Sequence, residues 1–128
     1  NWQEIDIFAA LAEGAYRYDA KAHRLALVTA ADLRGDTGTQ DFVATAPLNL
    51  VYVADFARMH GSEAEQRGFL AGADAGCIAQ NVYLWCASAG LATVIRAWID
   101  RQAIADALGL PHDHQVLLSQ TVGLPSGT

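Results

Sequence analysis

An α+β fold, with a mostly antiparallel sheet packed on one long helix, follows from three features of the 128-residue sequence. Short runs rich in β-branched, aromatic and other apolar residues recur along the chain and read as strands. One helical stretch, from Ser62 to about Ser88, is far longer than any of them. The order strand, hairpin, strand, long helix, strand, helix, strand then gives α+β, in a single domain over residues 1–128.

Residues 4–11, Glu-Ile-Asp-Ile-Phe-Ala-Ala-Leu, alternate and then turn continuously apolar, as a partly buried strand does. Gly14 interrupts the run. Ala15-Tyr-Arg-Tyr and Arg24-Leu-Ala-Leu-Val flank the turn-like Asp19-Ala-Lys-Ala-His and predict a hairpin. Residues 30–41, rich in Asp, Gly and Thr, read as a loop with room for one short helix. Pro47 opens Leu48-Asn-Leu-Val-Tyr-Val-Ala, the best central-strand candidate. Ser62-Glu-Ala-Glu65 has the form of a capping box, with Ser62 as N-cap. Gly90 is placed to close the helix in the left-handed conformation. From Cys77 to Ala89 this helix is apolar nearly all round and is expected to be buried on most sides. Leu91–Ile95 then reads as a strand. Asp100 caps a second helix to Leu108, stopped by Gly109 and Pro111, and Gln115–Val122 is the last strand.

Gly68, Gly72 and Gly76 share one stripe of the long helix. Each costs about 1 kcal/mol against alanine in a helix interior. Close approach of another backbone offsets that cost, and a symmetry mate is the natural partner. The alternative is a helix that starts near Asp74, with the glycines in a loop.

Apolar residues make up 52% of the chain and charged residues 17%, so apolar surface must be buried in an unusually complete core or against another chain. A net charge of −6, with Lys21 the one lysine and the arginines scattered, excludes a nucleic-acid groove. No apolar stretch approaches the roughly 18 residues that cross a bilayer, so no membrane partner is expected. The start at Asn1, without methionine or signal peptide, is expected of a chain that begins inside a longer protein, and it leaves the compartment unassigned. Cys77 and Cys86 would sit on opposite faces of one helix, about 13 Å apart along its axis, and cannot bridge. Both are read as buried structural thiols.

Most candidate chemistry reduces to ordinary structure. His112-Asp113-His114 lacks a recurring ligand spacing and reads as a solvated loop, so no metal is expected. There is no Gly-x-Ser-x-Gly elbow and no Gly-x-Gly-x-x-Gly after a strand. Tyr16, Tyr18, Tyr52 and Tyr83 are present, but no spacing singles one out as an acid or base, and the catalytic residues stay unassigned. Ala87-Ser-Ala-Gly-Leu-Ala-Thr-Val is the exception. Small residues directly after a long helix allow a flat ligand to approach the main chain, although a plain glycine cap would explain them too.

Read together, Asn1-Trp-Gln, Ala46-Pro-Leu-Asn-Leu-Val-Tyr-Val-Ala, the stretch from Gly76 to Val94, Ala107-Leu-Gly-Leu-Pro and Val122-Gly-Leu-Pro resemble the nitroreductase family. The closest branch looks like the SagB-type dehydrogenases, which oxidise azolines with FMN. The resemblance implies a nitroreductase-like α+β flavoprotein, an FMN-dependent oxidoreductase using NAD(P)H or a ring substrate. It implies a homodimer with the cofactor at the subunit interface and the long helix in that interface. Carried over residue by residue, it assigns flavin contacts to Asn1 and Gln3, and to the main chain at Ala89, Gly90 and Leu91. Many relatives carry Glu where Ala89 stands. Arg96 follows this segment, directed either toward the site or to the surface.

Two departures qualify the match. The family's Arg-Arg-Ser-x-Arg segment, which binds the FMN phosphate, has no counterpart and would lie ahead of Asn1. The basic pair near the family's C-terminus is also absent, and these residues offer no clustered cations for a dianionic phosphate. The competing reading is a truncated, non-catalytic dimerisation module that binds no flavin.

Overall fold

The computed structural model describes residues 1–126, which form six strands, two α-helices and two short 3₁₀ turns. In chain order these are β1 (Ile5–Leu11), β2 (Gly14–Asp19), β3 (Arg24–Thr29), a 3₁₀ turn at Arg34–Thr37, β4 (Leu48–Asp55), a 3₁₀ turn at Phe56–Arg58, α1 (Ala64–Ala89), β5 (Ala92–Arg96), α2 (Arg101–Leu108) and β6 (His114–Gly123). The strands make one sheet in the order β3-β2-β1-β4-β6-β5, with every pairing antiparallel. The fold is the expected α+β, and β4 is central, as its β-branched and aromatic content predicts.

The sheet separates two cores because side chains alternate along each strand. Val51 and Val53 of β4 join Phe8, Val116, Ile104 and Leu108 on the face covered by α2. Tyr52 and Ala54 point the other way, to Met59 and to Ala71, Ala75 and Ala79 of α1. These alanines let the helix lie close on the sheet. Opposite Tyr52 and Val53 the register of β6 shifts by one residue, so Leu117 and Leu118 both pack against the α1 core. Arg101 of α2 donates to the carbonyl of Leu117 through Nε and Nη2 at 3.1 and 2.9 Å.

Several local expectations need correction. The capping box does not form: α1 begins after Glu63 without a side-chain cap, because Ser62 Oγ donates to Met59 O at 2.6 Å and accepts from Arg67 Nε at 3.1 Å. Nor is the second half of α1 buried on most sides. From Cys77 to Ala89 only Ala79 and Cys86 are buried, while Leu84 and Trp85 stay more than 60% exposed, because the sheet covers one side of the helix. The glycines do lie within α1, which removes the loop alternative, and a Cβ at Gly68, Gly72 or Gly76 would meet nothing within 4 Å in this chain. Cys86 is buried as expected, but Cys77 is exposed. No helix among the described residues is long and apolar enough to cross a membrane.

Candidate functional site

The segment ahead of β1 is held at one end of the sheet. Gln3 takes a left-handed φ of 54° and its Nε2 donates to Asn1 Oδ1 at 3.1 Å. The carbonyl of Gln3 accepts from Arg58 Nη1 at 3.0 Å, and that of Glu4 accepts from the amide of Asp55 at 2.8 Å. Trp2 Nε1 donates to the carbonyl of His60 at 3.1 Å, which fixes the indole beside the start of α1. Arg58 is already engaged by Asp6 Oδ1 at 3.1 Å and Asp55 Oδ2 at 3.0 Å. An open groove of about 1430 Å³ runs from Trp2 and Gln3 past Ile5, Ile7 and Ile78 to Tyr18 on the first hairpin.

Ala89, Gly90 and Leu91 lie at the other end. Helix α1 has 26 residues, a length of about 39 Å, and passes directly into Ala92, which pairs with Gly123. The start of β1 instead pairs with Ala54, beside Asp55 and His114. One chain therefore brings Asn1 and Gln3 together, but not with Ala89–Leu91. Gly90 closes the helix at φ 72° as predicted, and the amides of Gly90 and Leu91 both donate to Cys86 O. This segment offers a small-residue surface, and two of its N–H groups are committed to the cap.

Arg96 is neither on the surface nor directed at the helix end. It is 5% exposed. Nε donates to Thr121 Oγ1 at 3.1 Å, Nη1 to Thr37 O at 2.6 Å and Nη2 to Asn49 Oδ1 at 3.3 Å. Burial lowers its pKa from the usual guanidinium value. It fastens the loop at Thr37–Gly38 to β4 and β6.

The tyrosines separate by environment. Tyr52 is fully buried and donates to Gln120 Oε1, whose Nε2 reaches Ala79 O at 3.2 Å, and burial raises its pKa. Tyr83 accepts from the amide of Ile95 at 2.8 Å. Both tie α1 to the sheet. Tyr18 alone pairs with a titratable side chain in an open groove, its hydroxyl 2.8 Å from His23 Nδ1.

The His112-Asp113-His114 loop is less solvated than expected. His114 enters β6, with Nδ1 2.8 Å from Asp113 Oδ1 and Nε2 3.7 Å from Asp55 Oδ2, and that hydrogen bond lowers the Asp113 pKa. These three residues could converge on a cation, but the Arg58 guanidinium already sits 3.0 Å from Asp55.

A six-stranded antiparallel sheet with a long helix on one face and a short one on the other is the nitroreductase-like fold. The family profile matches residues 1–124, and the chain belongs to the nitroreductase family, whose members are generally flavin-dependent oxidoreductases. Among solved structures, a candidate nitroreductase from Ralstonia eutropha JMP134 is 46% identical over 98% of this chain, with a TM-score of 0.91. A chain of the Escherichia coli microcin synthetase McbBCD complex has a TM-score of 0.86 at 18% identity over 98% of this chain and 53% of its own. The NADPH:FMN oxidoreductase of Vibrio harveyi has a TM-score of 0.71 at 22% identity, over 98% of this chain and 52% of its own. These last two likenesses establish the fold alone. This chain spans 60% of the Ralstonia protein. A search of curated proteins returns no significant match.

Proposed function

We propose that this chain forms part of an FMN-dependent oxidoreductase, working as a homodimer, that moves hydride or electrons between NAD(P)H or a ring substrate and an organic acceptor. The 46% identity to the Ralstonia protein carries this reading. Exposed Asn1 and Gln3 suit the polar edge of an isoalloxazine, and Ala89–Leu91 suit its flat face. The phosphate is less well served. Arg17, Lys21 and Arg58 share the large groove with Gln3, a clustering the sequence did not reveal, but Asp6 and Asp19 lie among them. Phosphate donors in this reading come from outside these residues.

A dimer resolves the separation of the two halves of the site. Gly76 is the thirteenth of the 26 residues of α1, so two copies crossing antiparallel at the glycine stripe would bring Ala89–Leu91 of the partner subunit toward Asn1 and Gln3. Bound FMN would supply the redox chemistry. The chain's own work is to hydrogen-bond the ring edge through Asn1 and Gln3 and to keep water from its face.

The SagB-type assignment, with an azoline ring as substrate, is the finer part of the proposal, and the sequence resemblance supports it. Titration of the protein with FMN, followed by flavin fluorescence and by NAD(P)H oxidation, tests the whole. Saturable binding to a dimer, weakened at least tenfold by Asn1→Ala, is expected. Colourless protein that ignores FMN at all concentrations would favour the non-catalytic module. Turnover of an azoline-containing peptide, against none with simple quinones, separates the SagB-type reading from a general reductase.

A further inference from the structure

An open pocket of about 860 Å³ begins at Ala92, one residue past Leu91. One wall is the coil from Phe42 to Pro47, and the other is the first half of β5, with Thr121 and Gly123 of β6 between them. The chain itself fixes the coil: Asn49 Nδ2 donates to Val43 O at 2.7 Å, and Arg34 Nη1 to Ala46 O at 3.1 Å. Gly123 lets the coil come close to the sheet, since an added Cβ would stand 3.3 Å from Pro47 Cδ. A concave site shaped in advance, apolar with a few placed polar groups, is the usual form of a small-molecule pocket. Phe42, Val94 and Leu124 supply the exposed apolar rim.

The polar lining decides what fits. Thr45 Oγ1 donates to Phe42 O at 3.3 Å and Thr93 Oγ1 to Thr121 O at 2.7 Å. A carbonyl can only accept, so both hydroxyl protons are committed. Thr121 is committed in the same sense. Asn49 spends Nδ2 on Val43 O, which leaves Oδ1 to accept the Thr121 proton at 2.7 Å. The three hydroxyls therefore offer lone pairs, not protons, to a bound molecule. Among the described residues that line the pocket, none is charged. An anion would meet these lone pairs and no cation. A cation would meet the field of the Arg96 guanidinium, whose Nε sits 3.1 Å from Thr121 Oγ1. Either ion would also forfeit hydration against the apolar rim.

We propose that this pocket binds an uncharged planar ring that carries an N–H donor, such as a ring carboxamide. The ring packs on Phe42, Val94 and Leu124, and its N–H group donates to the hydroxyl oxygens of Thr93 and Thr121. A nicotinamide head group and the amide-flanked ring of a substrate share that chemistry. The binding site stands on its own geometry. Its role as the seat of a reacting ring, beside a flavin held at Ala89–Leu91, deepens the proposed function and rests on it.

The test compares benzamide, benzoate, benzamidine and methyl benzoate, which share the ring and differ in charge and in donors. In flavin-free protein with ¹³C-labelled threonine and valine methyl groups, benzamide should shift the Thr93, Thr121 and Val94 resonances saturably. It should bind at least tenfold more tightly than benzoate or benzamidine. Thr93→Val, with its fold checked by circular dichroism, should weaken benzamide at least threefold and leave methyl benzoate unchanged. Equal binding of either ion, or a Thr93→Val variant that holds benzamide as tightly, overturns the ligand class. Shifts confined to other residues overturn the site. Protein that takes benzamide but not FMN keeps the site and loses the substrate role. With FMN bound, displacement of benzamide by NADPH assigns the pocket to the donor's ring, and displacement by a thiazoline carboxamide assigns it to the substrate's. Displacement by neither overturns the substrate role.

Discussion

Gly38→Ala is expected to destabilise the fold by about 2–4 kcal/mol, although the backbone there is extended (φ −179°) and open to any residue. The reason is Arg96. An added Cβ would stand 1.9 Å from Nη1 and 2.9 Å from Cζ. The head of an arginine can usually swing aside at little cost, but this one is 5% exposed and held by Thr37, Asn49 and Thr121. Hydrogen bonds to a charged group contribute about 1.5–3 kcal/mol each with the exchange against water already included, so displacing the guanidinium far enough to lose one or two of the three costs roughly 2–4 kcal/mol. Urea unfolding followed by circular dichroism should show a lower midpoint with an unchanged slope. The decisive comparison is the double-mutant cycle with Arg96→Met. Once the guanidinium is gone, Gly38→Ala should cost less than about 0.5 kcal/mol. An undiminished cost in that background, or a cost below about 1 kcal/mol in the native chain, would refute the account.

Four further substitutions separate local from intermolecular roles. A Cβ added at Gly72 would meet no atom within 4 Å in this chain, and Gly72→Leu improves helix propensity by nearly 1 kcal/mol, so the fold should hold while the proposed dimer is lost. Sedimentation as an unchanged dimer would count against the stripe as interface. In Cys77→Ser the remaining thiol, Cys86, is 1% exposed and burial pushes its pKa up, so an aromatic disulfide reagent should label it only on unfolding, and rapid labelling of the native protein would contradict this. Asp100→Ala should cost about 1 kcal/mol, because its Oδ1 caps α2 at the amide of Ala103, 3.0 Å away. Glu63→Ala at the uncapped start of α1 should change the unfolding midpoint little, and equal losses at the two caps would sink the comparison.

What was legible in the sequence is what local physics decides. β4 announces itself through Leu48–Ala54, α1 ends at Gly90 because a left-handed residue closes it, and Asp100 caps α2. What was not legible depends on which of several partners a residue meets in the folded chain. Ser62 has the chemistry of a cap but finds Met59 O first. Arg96 is buried because Thr37 and Asn49, 59 and 47 residues away, converge on it. The apolar half of α1 tells how much surface the helix could bury, but a six-stranded sheet covers only one side of it. The candidate site is divided in the same way. Asn1 and Gln3 are two residues apart and were readable as a pair. That Ala89–Leu91 lie a helix length away follows only from the direction in which α1 crosses the sheet.

That direction makes the proposed dimer specific enough to test residue by residue. If a two-fold axis crosses α1 at its midpoint, between Gly76 and Cys77, residues equally far from that point meet across the interface. Phe69, seven residues before Gly76, then faces the partner's Leu84, seven after Cys77, and both side chains stand 78% and 61% exposed on the single chain. The open glycines between them let the two helices approach closely enough for that contact. In a background with Cys77→Ser and Cys86→Ala, a mixture of Phe69→Cys and Leu84→Cys chains should oxidise to the mixed disulfide far faster than either variant forms a disulfide with itself. A parallel pairing would favour the two like-with-like disulfides, and a dimer built on another surface would give none. Only the antiparallel outcome lets the helix end of one copy reach the first residues of the other, so the crosslinking pattern decides whether a two-chain flavin site is geometrically available.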